Sequence, residues 1–505
     1  MDALTSLASF GTGLYGPELV LGAAAVLLFV LAAGARRRPE WHEAASWLSG
    51  LAVALAFAGL VRVAERPSAE LFDGLVTVDP LSVFFRGLTL LATLVAVVLS
   101  WGSPSVPPDR RGEYYALLLV LALGMCMLSS ASHLLMIYVS METVSLCSYL
   151  LVGFDTRSRS SEAGLKYMLY GAVASGVMLF GMSLLYGLVG DLSLAGLQDV
   201  LTMHGSDVAG TAAGRWAVWA AVALTLAGFG FKIAAVPFHQ WCPDAYEGAP
   251  TPFTALLSVG PKAAGFAVLT RFVWVVFSKD SEPGVAADVD VPFLVMIGVV
   301  SALTMTLGNL VAIVQDNLKR LLAYSSIAHA GYVLLGVLAG GPEGFRAVAL
   351  YLAVYVVMNM GAFAVVSAVD RETGSERIEG YRGLGKRSPL LALVMVVFLV
   401  SLTGLPPTAG FIGKLYLFSA LIARGGTWLW VLALIGVLNS VVSLFYYARV
   451  MKAMYLEAAP ADAKPVIGRS PAGVLAVALA VPTLVLGVFW QPLADAAAWS
   501  AGWLR

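Results

Sequence analysis

Runs of about 20 apolar residues, parted by short polar stretches, fill the chain from one end to the other. A straight helix needs about 20 such residues to cross the hydrocarbon of a bilayer. About 14 runs meet that length. Their limits fall near 15–35, 42–62, 81–101, 113–130, 132–154, 163–189, 215–238, 252–278, 291–314, 321–340, 345–369, 389–424, 428–452 and 471–493. The sixth, eighth and twelfth are longer than a straight crossing requires. The longest polar stretches, near 190–215, 278–291, 370–389 and 456–470, are loop-sized. The pattern predicts an all-α, polytopic membrane protein with no sizeable water-soluble domain.

Composition agrees. Of 505 residues, 59% are apolar and 12% charged, where a soluble domain carries about 25% charged residues. The formal net charge of zero argues against nucleic acid as a partner. Cys126, Cys147 and Cys242 form no Cys-x-x-Cys and no Cys/His cluster. That excludes an obvious zinc or iron–sulfur site and leaves buried, inert thiols. The N-terminus lacks the basic start and small-residue cleavage site of a signal peptide, so the first run is expected to be retained.

Loop charge assigns the sides. Loops after odd-numbered spans hold Arg36, Arg37, Arg38, Arg110, Arg111, Arg157, Arg159, Lys319, Arg320, Arg371, Arg377, Arg382, Lys386, Arg387, Lys452, Lys464 and Arg469. The opposite loops hold fewer basic residues: Arg62, Arg66, Arg215, Lys279, Arg346, Arg424 and Arg505. They carry Asp73, Asp79, Asp191, Asp199, Asp207, Asp288 and Asp290 instead. The positive-inside rule makes the first set cytoplasmic and both termini periplasmic.

Two spans carry breakers. The seventh runs through Lys232 into Pro237 and PFHQWCPDAYEGAPTP; the twelfth holds SLTGLPPTAGFIGK, with Pro406 and Pro407 before Lys414. Proline removes a backbone donor and clashes with the preceding turn, so both helices should break. Backbone unpaired at membrane depth must line protein or water. Paired interruptions in two halves point to an inverted-repeat transporter, while simple proline kinks are the plainer reading. The interruptions fall five spans apart, and an odd number inverts topology. The expected organisation is an N-terminal three-helix segment (1–112), a first repeat (113–278, helices 4–8), a second repeat (290–454, helices 9–13) and a C-terminal helix (471–505).

Ionisable residues inside apolar spans cost roughly 2.5–3.5 kcal/mol each on insertion scales and mark function by default. Glu142 lies mid-span in HLLMIYVSMETVSLCSYLLV. It reads either as a protonated, hydrogen-bonded carboxyl or as the partner of a buried lysine. Such a pair holds its ions together and releases a proton on separation, which is a basis for a gate. Lys232 and Lys262 occupy consecutive spans with no mid-span acid of their own. Lys262 is too deep to snorkel easily, and suits a proton carrier or a lysine bonded to carbonyls at a helix break. Lys414 follows the same logic in the far half. His329, in LLAYSSIAHAGYVLLG, is a relay candidate or a packing histidine; Tyr324, Ser325 and Ser326 could hold waters beside it. Lys166 sits near the basic end of the sixth span, where snorkelling competes with function. Arg86 and Arg271 read as packing or anchoring residues, and His239 as facing a vestibule. Asn359 and Thr403 either wet the path or knit helices.

The segments EAGLKYMLYGAVASGVMLFGMSLLYG, KIAAVPFHQWCPDAYEGAPTPFTALLSVGPKAAGFAVL, NLKRLLAYSSIAHAGYVLLG and SLTGLPPTAGFIGKLYLF resemble subunit N of the bacterial proton-pumping NADH–quinone oxidoreductase, respiratory complex I. The resemblance covers nearly the whole chain. It implies an antiporter-like subunit of the membrane arm, in the bacterial inner membrane, beside other subunits of that arm. It implies no cofactor here, with NADH, FMN, iron–sulfur clusters and the quinone site in other subunits. By motif, Glu142 and Lys232 resemble the gating pair, Lys262 the connecting lysine and Lys414 the terminal lysine near the proton exit. The related subunit M has glutamate at that last position. His329 and Lys166 are carried by the same motifs. The expected function is proton movement from cytoplasm to periplasm, driven by quinone reduction elsewhere. Rival readings are a sodium/proton antiporter subunit of the same fold and a non-pumping scaffold. A membrane enzyme with its own site lacks a Cys/His cluster, nucleotide loop or paired carboxylates.

Overall fold

The computed structural model describes residues 13–35, 40–155, 157–198, 212–277, 291–460 and 468–504. Of the loop charges named above, Arg36, Arg37, Arg38, Asp199, Asp207, Lys279, Asp288, Asp290, Lys464 and Arg505 lie outside these residues.

The first six spans are α1 (Gly16–Ala35), α2 (Glu40–Ala64), α3 (Pro80–Ser100), α4 (Arg111–Ser130), α5 (Leu134–Val152) and α6 (Ser158–Val189). The seventh is α7 (Ala212–Ile233), followed after a break by the short α8 (Trp241–Gly248). Then come α9 (Thr251–Phe277), α10 (Val291–Ala312), α11 (Leu318–Ala339) and α12 (Gly341–Thr373). The twelfth run is split into α13 (Pro389–Thr403) and α14 (Ala409–Arg424); α15 (Thr427–Leu456), α16 (Pro471–Val488) and α17 (Gln491–Ser500) complete the chain. Among the described residues, 13 helices are long and apolar enough to cross a membrane. The split twelfth run accounts for the difference from 14, because neither half reaches 18 residues.

Helix starts follow local chemistry. Asp79 caps α3 in a reciprocal capping box with Ser82, ahead of Pro80, satisfying amide groups that a helix start leaves open. Asn317 caps α11, accepting from the backbone of Lys319 and Arg320. A small antiparallel hairpin, β1 (Ala69–Leu71) and β2 (Val76–Val78), links α2 to α3 with Ala69 opposite Val78. The apolar-run pattern did not predict it.

The most apolar window of α9 is 100% buried, and those of α11 and α12 are 94% buried, against 33% in α1, α2, α15 and α16. The centre of the protein is therefore the α9–α11–α12 group. Lys262, His329 and the tyrosines facing them lie on it. The predicted loop sets gather at different ends of these helices. The start of α9 joins segments 104–105, 155–160, 316–319 and 370–377 around one cleft. Its far end carries Arg271, which binds Asp79 with two hydrogen bonds of 2.7 and 2.9 Å. Arg86 pairs with Glu18 at 2.5 Å, fully buried. The structure thus supplies both arginines with carboxylate partners in the N-terminal helices.

Candidate functional site

Both expected breaks are present. At the first, α7 ends at Ile233, Ala234 takes a left-handed φ of 58°, and the Ala235 amide donates back to the Gly230 carbonyl at 2.8 Å. The Phe231 carbonyl accepts both the Ala234 amide at 3.1 Å and Trp241 Nε1 at 3.0 Å, so it is satisfied inside the membrane. At the second, Gly404 takes a φ of 87° and the Leu405 amide donates to the Val400 carbonyl at 3.2 Å. The peptide bonds before Pro237 and Pro407 are both cis.

Lys232, Lys262 and Lys414 are each buried to within 4% of full enclosure. Each holds one serine hydroxyl and one main-chain carbonyl. Lys232 Nζ donates to Ser145 Oγ at 2.8 Å and to the Met141 carbonyl at 3.2 Å. Lys262 Nζ donates to Ser326 Oγ at 2.6 Å and to the Ser326 carbonyl at 3.2 Å. Lys414 Nζ donates to Ser440 Oγ at 3.0 Å and to the Thr403 carbonyl at 2.8 Å. Glu142 Oε1 likewise accepts from a serine, Ser175 on α6. Among the described residues, no ion pair involves any of these three lysines. Glu142 and Lys232 are not closed into an ion pair. Lys232 instead reaches Met141 and Ser145, which bracket Glu142 on α5.

A hydroxyl suits an amine that changes charge. It accepts from an ammonium and can donate to a neutral amine. A carboxylate would favour only the charged form.

Polar and aromatic groups run from Lys262 to Lys414. Tyr246 Oη lies 3.2 Å from Ser326 Oγ, and its ring lies under Lys262. One turn along α11 from Ser326, His329 Nδ1 bonds Tyr351 Oη and its ring stands edge-on to Tyr332. The Tyr332 ring lies 4.4 Å from Lys414 Nζ. The order along the centre is therefore Glu142 and Lys232, Lys262, His329, Lys414. Of the two sites for added polar groups, Ser258 Oγ accepts from Asn359 Nδ2 at 2.6 Å one turn from Lys262. Thr403 contributes its carbonyl.

Lys166 is not on this line. Its side chain is 43% exposed and pairs with Glu162 at 2.7 Å and Asp244 at 3.1 Å. Asp244 also binds Arg320 at 2.5 Å, and Arg320 binds Glu247 at 2.8 Å. Arg159 joins Glu247 to Glu376, which holds Lys319 at 2.9 Å. Of these charges, Arg159, Glu247, Lys319 and Glu376 line a cleft of about 680 Å³ between α6, α8, the start of α11 and the end of α12 with the loop after it. Burial pushes the Glu376 carboxyl up, but Lys319, Asn317 and Arg159 outweigh it and hold it below the usual range. His239 lies half-buried in the first break.

Sequence reading missed the serine partners. Serine is common in membrane helices, so Ser145, Ser175 and Ser440 carried no distinguishing signal; only Ser326 stood beside a candidate. It also missed Asp244 and Glu247, whose spacing on α8 was readable once the break ended at Gln240.

Comparison with known proteins identifies the family. The model of the family described as NADH:quinone oxidoreductase/Mrp antiporter, TM, matches residues 131–442. The chain is 48% identical over 490 residues to NADH-quinone oxidoreductase subunit N of Anaeromyxobacter sp. (strain Fw109-5), covering 95% of this chain and 94% of that one. It is 48% identical over 522 residues to NADH-quinone oxidoreductase subunit N 2 of Sorangium cellulosum, covering 100% and 99%. A chain of respiratory complex I from Thermus thermophilus superposes with a TM-score of 0.77 at 34% identity, covering 95% of this chain and 99% of that chain. A chain of the Mrp complex from Dietzia sp. shares the fold, with a TM-score of 0.82 at 23% identity over 97% of each chain. This chain belongs to the subunit N family of NADH-quinone oxidoreductase, the antiporter-like subunits in the membrane arm of respiratory complex I.

Proposed function

We propose that the chain moves protons through the Glu142, Lys232, Lys262, His329 and Lys414 line, driven by quinone reduction in other subunits. The observation that carries this reading is the common environment of the three lysines. Each is buried, bears no counter-ion among the described residues, and is bonded to a hydroxyl that serves both protonation states. A merely structural lysine at that depth would be better held by a carboxylate. Met or Leu would fill the same space without charge.

The arginine-rich end is the cytoplasmic one in this reading, and both termini are periplasmic. Protons load from the cleft side. Lys166, with Asp244 and Arg320, belongs to the rim there rather than to the buried line. Lys414, at the second break, is the group nearest the exit. The first repeat (helices 4–8) and second repeat (helices 9–13) each supply one break and one lysine beside it. The Glu142–Lys232 gate is drawn open in this arrangement. Closing it would bring the amine from Ser145 to the carboxylate along the same helix.

Glu142 also points to a covered face. It shares an α5 stripe with Leu135, Val139, Leu146 and Leu150, which are 44–59% exposed. A carboxyl at mid-bilayer is costly against lipid, so an adjacent subunit of the membrane arm covers this stripe.

Replacing Lys232 or Glu142 by Ala in the intact complex should lower proton-coupled quinone reduction by roughly tenfold or more, with assembly unchanged. Proton pumping per electron would be followed in inverted vesicles. Wild-type stoichiometry in both variants rejects the line. Pumping that stops when sodium is withdrawn would favour a sodium/proton antiporter instead.

A further inference from the structure

Beyond Lys414, a second set of buried polar groups continues in a direction the proposed line does not use. Ser440 Oγ, the partner of Lys414, donates to Tyr332 Oη at 3.3 Å. Asn309 Nδ2 donates to the same Tyr332 oxygen at 3.4 Å and to Asn439 Oδ1 at 3.2 Å. Asn439 Nδ2 donates to Thr306 Oγ1 at 3.1 Å. Tyr446 Oη donates to Asn309 Oδ1 at 3.0 Å. Beside it, Tyr447 Oη lies 2.5 Å from Ser325 Oγ.

The column climbs α10, α11 and α15 towards the charged cleft's end of the molecule. Arg449 follows Tyr446 by three residues, about 4.5 Å along the helix. It pairs at 3.5 Å with Asp316, whose side chain is 83% exposed. Arg449 Nε is buried and unpartnered, while another nitrogen of the guanidinium donates to the Gln315 carbonyl. The column therefore has a titratable amine at one end and solvent at the other. Tyr446 and Asn309 are fully buried and Asn439 is 7% exposed, inside an interface where leucine would pack without polar cost.

Interhelical hydrogen bonds alone explain such residues in many membrane proteins. Their end-to-end order here argues for more. We propose that this column is a second water-filled route from the arginine-rich side, giving Lys414 a proton supply that does not pass through Lys262. It rests on the reading of Lys414 as a proton-carrying group. An amide cannot pass a proton without changing its tautomer, so the proton moves on waters hosted by the column. A hydronium at the Asp316 rim gives up its proton along that file. The water beside neutral Lys414 breaks an O–H bond as the amine forms an N–H bond, and the file is refilled from bulk.

The test uses the whole complex in sealed membrane vesicles of both orientations. Asn439→Cys and Thr306→Cys would be exposed to a membrane-impermeant, cationic methanethiosulfonate. Val441→Cys, 64% exposed on the outer face of α15 in the parent chain, and the wild type, whose three cysteines are buried, serve as backgrounds. Both column cysteines should label from the arginine-rich side and not from the other. Background-level labelling from that side, or labelling only from the opposite side, overturns the proposal. In parallel, Asn439→Leu should lower protons pumped per electron by about twofold or more and shift the pH profile of pumping. Asn439→Ser, which keeps a hydroxyl and space for water, should restore both. Normal pumping in Asn439→Leu beside a defective Lys414→Ala rejects the column and leaves the line intact. Normal pumping in Lys414→Ala rejects the line, and the labelling then decides the column by itself.

Discussion

The two helix breaks follow one backbone route and use their lysines differently. Gly230 matches Val400 as the acceptor of the returning amide, Ala234 matches Gly404 as the left-handed residue, and cis Pro237 matches cis Pro407. Yet Lys232 precedes its break, and its amine leaves its own helix for Met141 and Ser145 on α5. Lys414 follows its break, and its side chain folds back over Gly404 to the Thr403 carbonyl, one that the break has freed. That carbonyl sits at the C-terminal, negative end of α13, which favours a cation. The first lysine is thus fastened to the helix that carries Glu142. The second is fastened to the broken end itself. In the proposed line, movement of α5 acts on Lys232, whereas only rearrangement of the second break acts on Lys414.

The largest test of this difference is at the left-handed residues. A Cβ added at Gly404 would lie 2.8 Å from Lys414 Cδ, in a backbone conformation that L residues avoid. Gly404→Ala should cost about 1–2 kcal/mol for the left-handed conformation and displace the amine from Thr403. We expect a lower melting temperature of the complex and a several-fold loss of quinone reduction. Ala234→Gly removes the matching strain and is expected to be neutral or stabilising by about 1 kcal/mol at most. Equal behaviour of the two variants in thermal melting would break the comparison.

A smaller effect is expected at Trp241. The Phe231 carbonyl accepts the Ala234 amide at 3.1 Å, as the equivalent Ser401 carbonyl accepts the Gly404 amide at 3.0 Å, and the Trp241 indole adds a second donor at the first break. Trp241→Phe keeps most of the ring stacking on Tyr167 and removes only that donor. Because the Phe231 carbonyl keeps the Ala234 amide, the expected loss is about 0.5–1.5 kcal/mol in stability, read as a fall in melting temperature, with α13 and α14 unaffected in proteolysis of the purified complex.

Much of this was legible before any coordinates. Apolar runs place the spans to within a few residues, because only a helix satisfies the backbone groups of a single segment by itself in a bilayer. Prolines mark both breaks, and depth alone singles out Glu142, Lys232, Lys262 and Lys414. The partners were not legible. The serine beside each lysine comes from another helix, as Ser326 on α11 does for Lys262 on α9, and helix rotation is set by packing that no single span encodes. The same holds for the expected Glu142–Lys232 contact. Three residues on α5, roughly 60° around the helix, separate Glu142 from Ser145, the serine that Lys232 uses. Lys166 illustrates the converse, since its depth near a helix end left snorkelling and function equally open. Its ion pair with Glu162 lies one turn away on α6 itself, but the pair with Asp244 follows from α8, which exists only because α7 breaks.

The smallest expected effect concerns pH and separates the breaks by their surroundings. The first break is followed by α8, whose Asp244 and Glu247 enter the charged rim, and Glu376 closes that rim against Lys319. Among the described residues, no ion pair involves residues 404–414 at the second break. Glu376 sits below its ordinary value near 4.5. A carboxyl held lower in the fold than in the unfolded chain adds stability above the unfolded value, and that stability fades as pH falls through the folded value. Acidification below about pH 4.5 should therefore loosen the rim and the first break while leaving the second unchanged. Hydrogen exchange at the amides of 241–250 and 374–378 should rise on acidification more than at 405–413, after correction for the intrinsic pH dependence of exchange. Glu376→Gln should flatten that difference, because the neutral amide keeps the Asn317 contact but no longer titrates. A rise of equal size at both breaks would mean that the rim does not hold the first one, and that the two differ only in where their lysines lie.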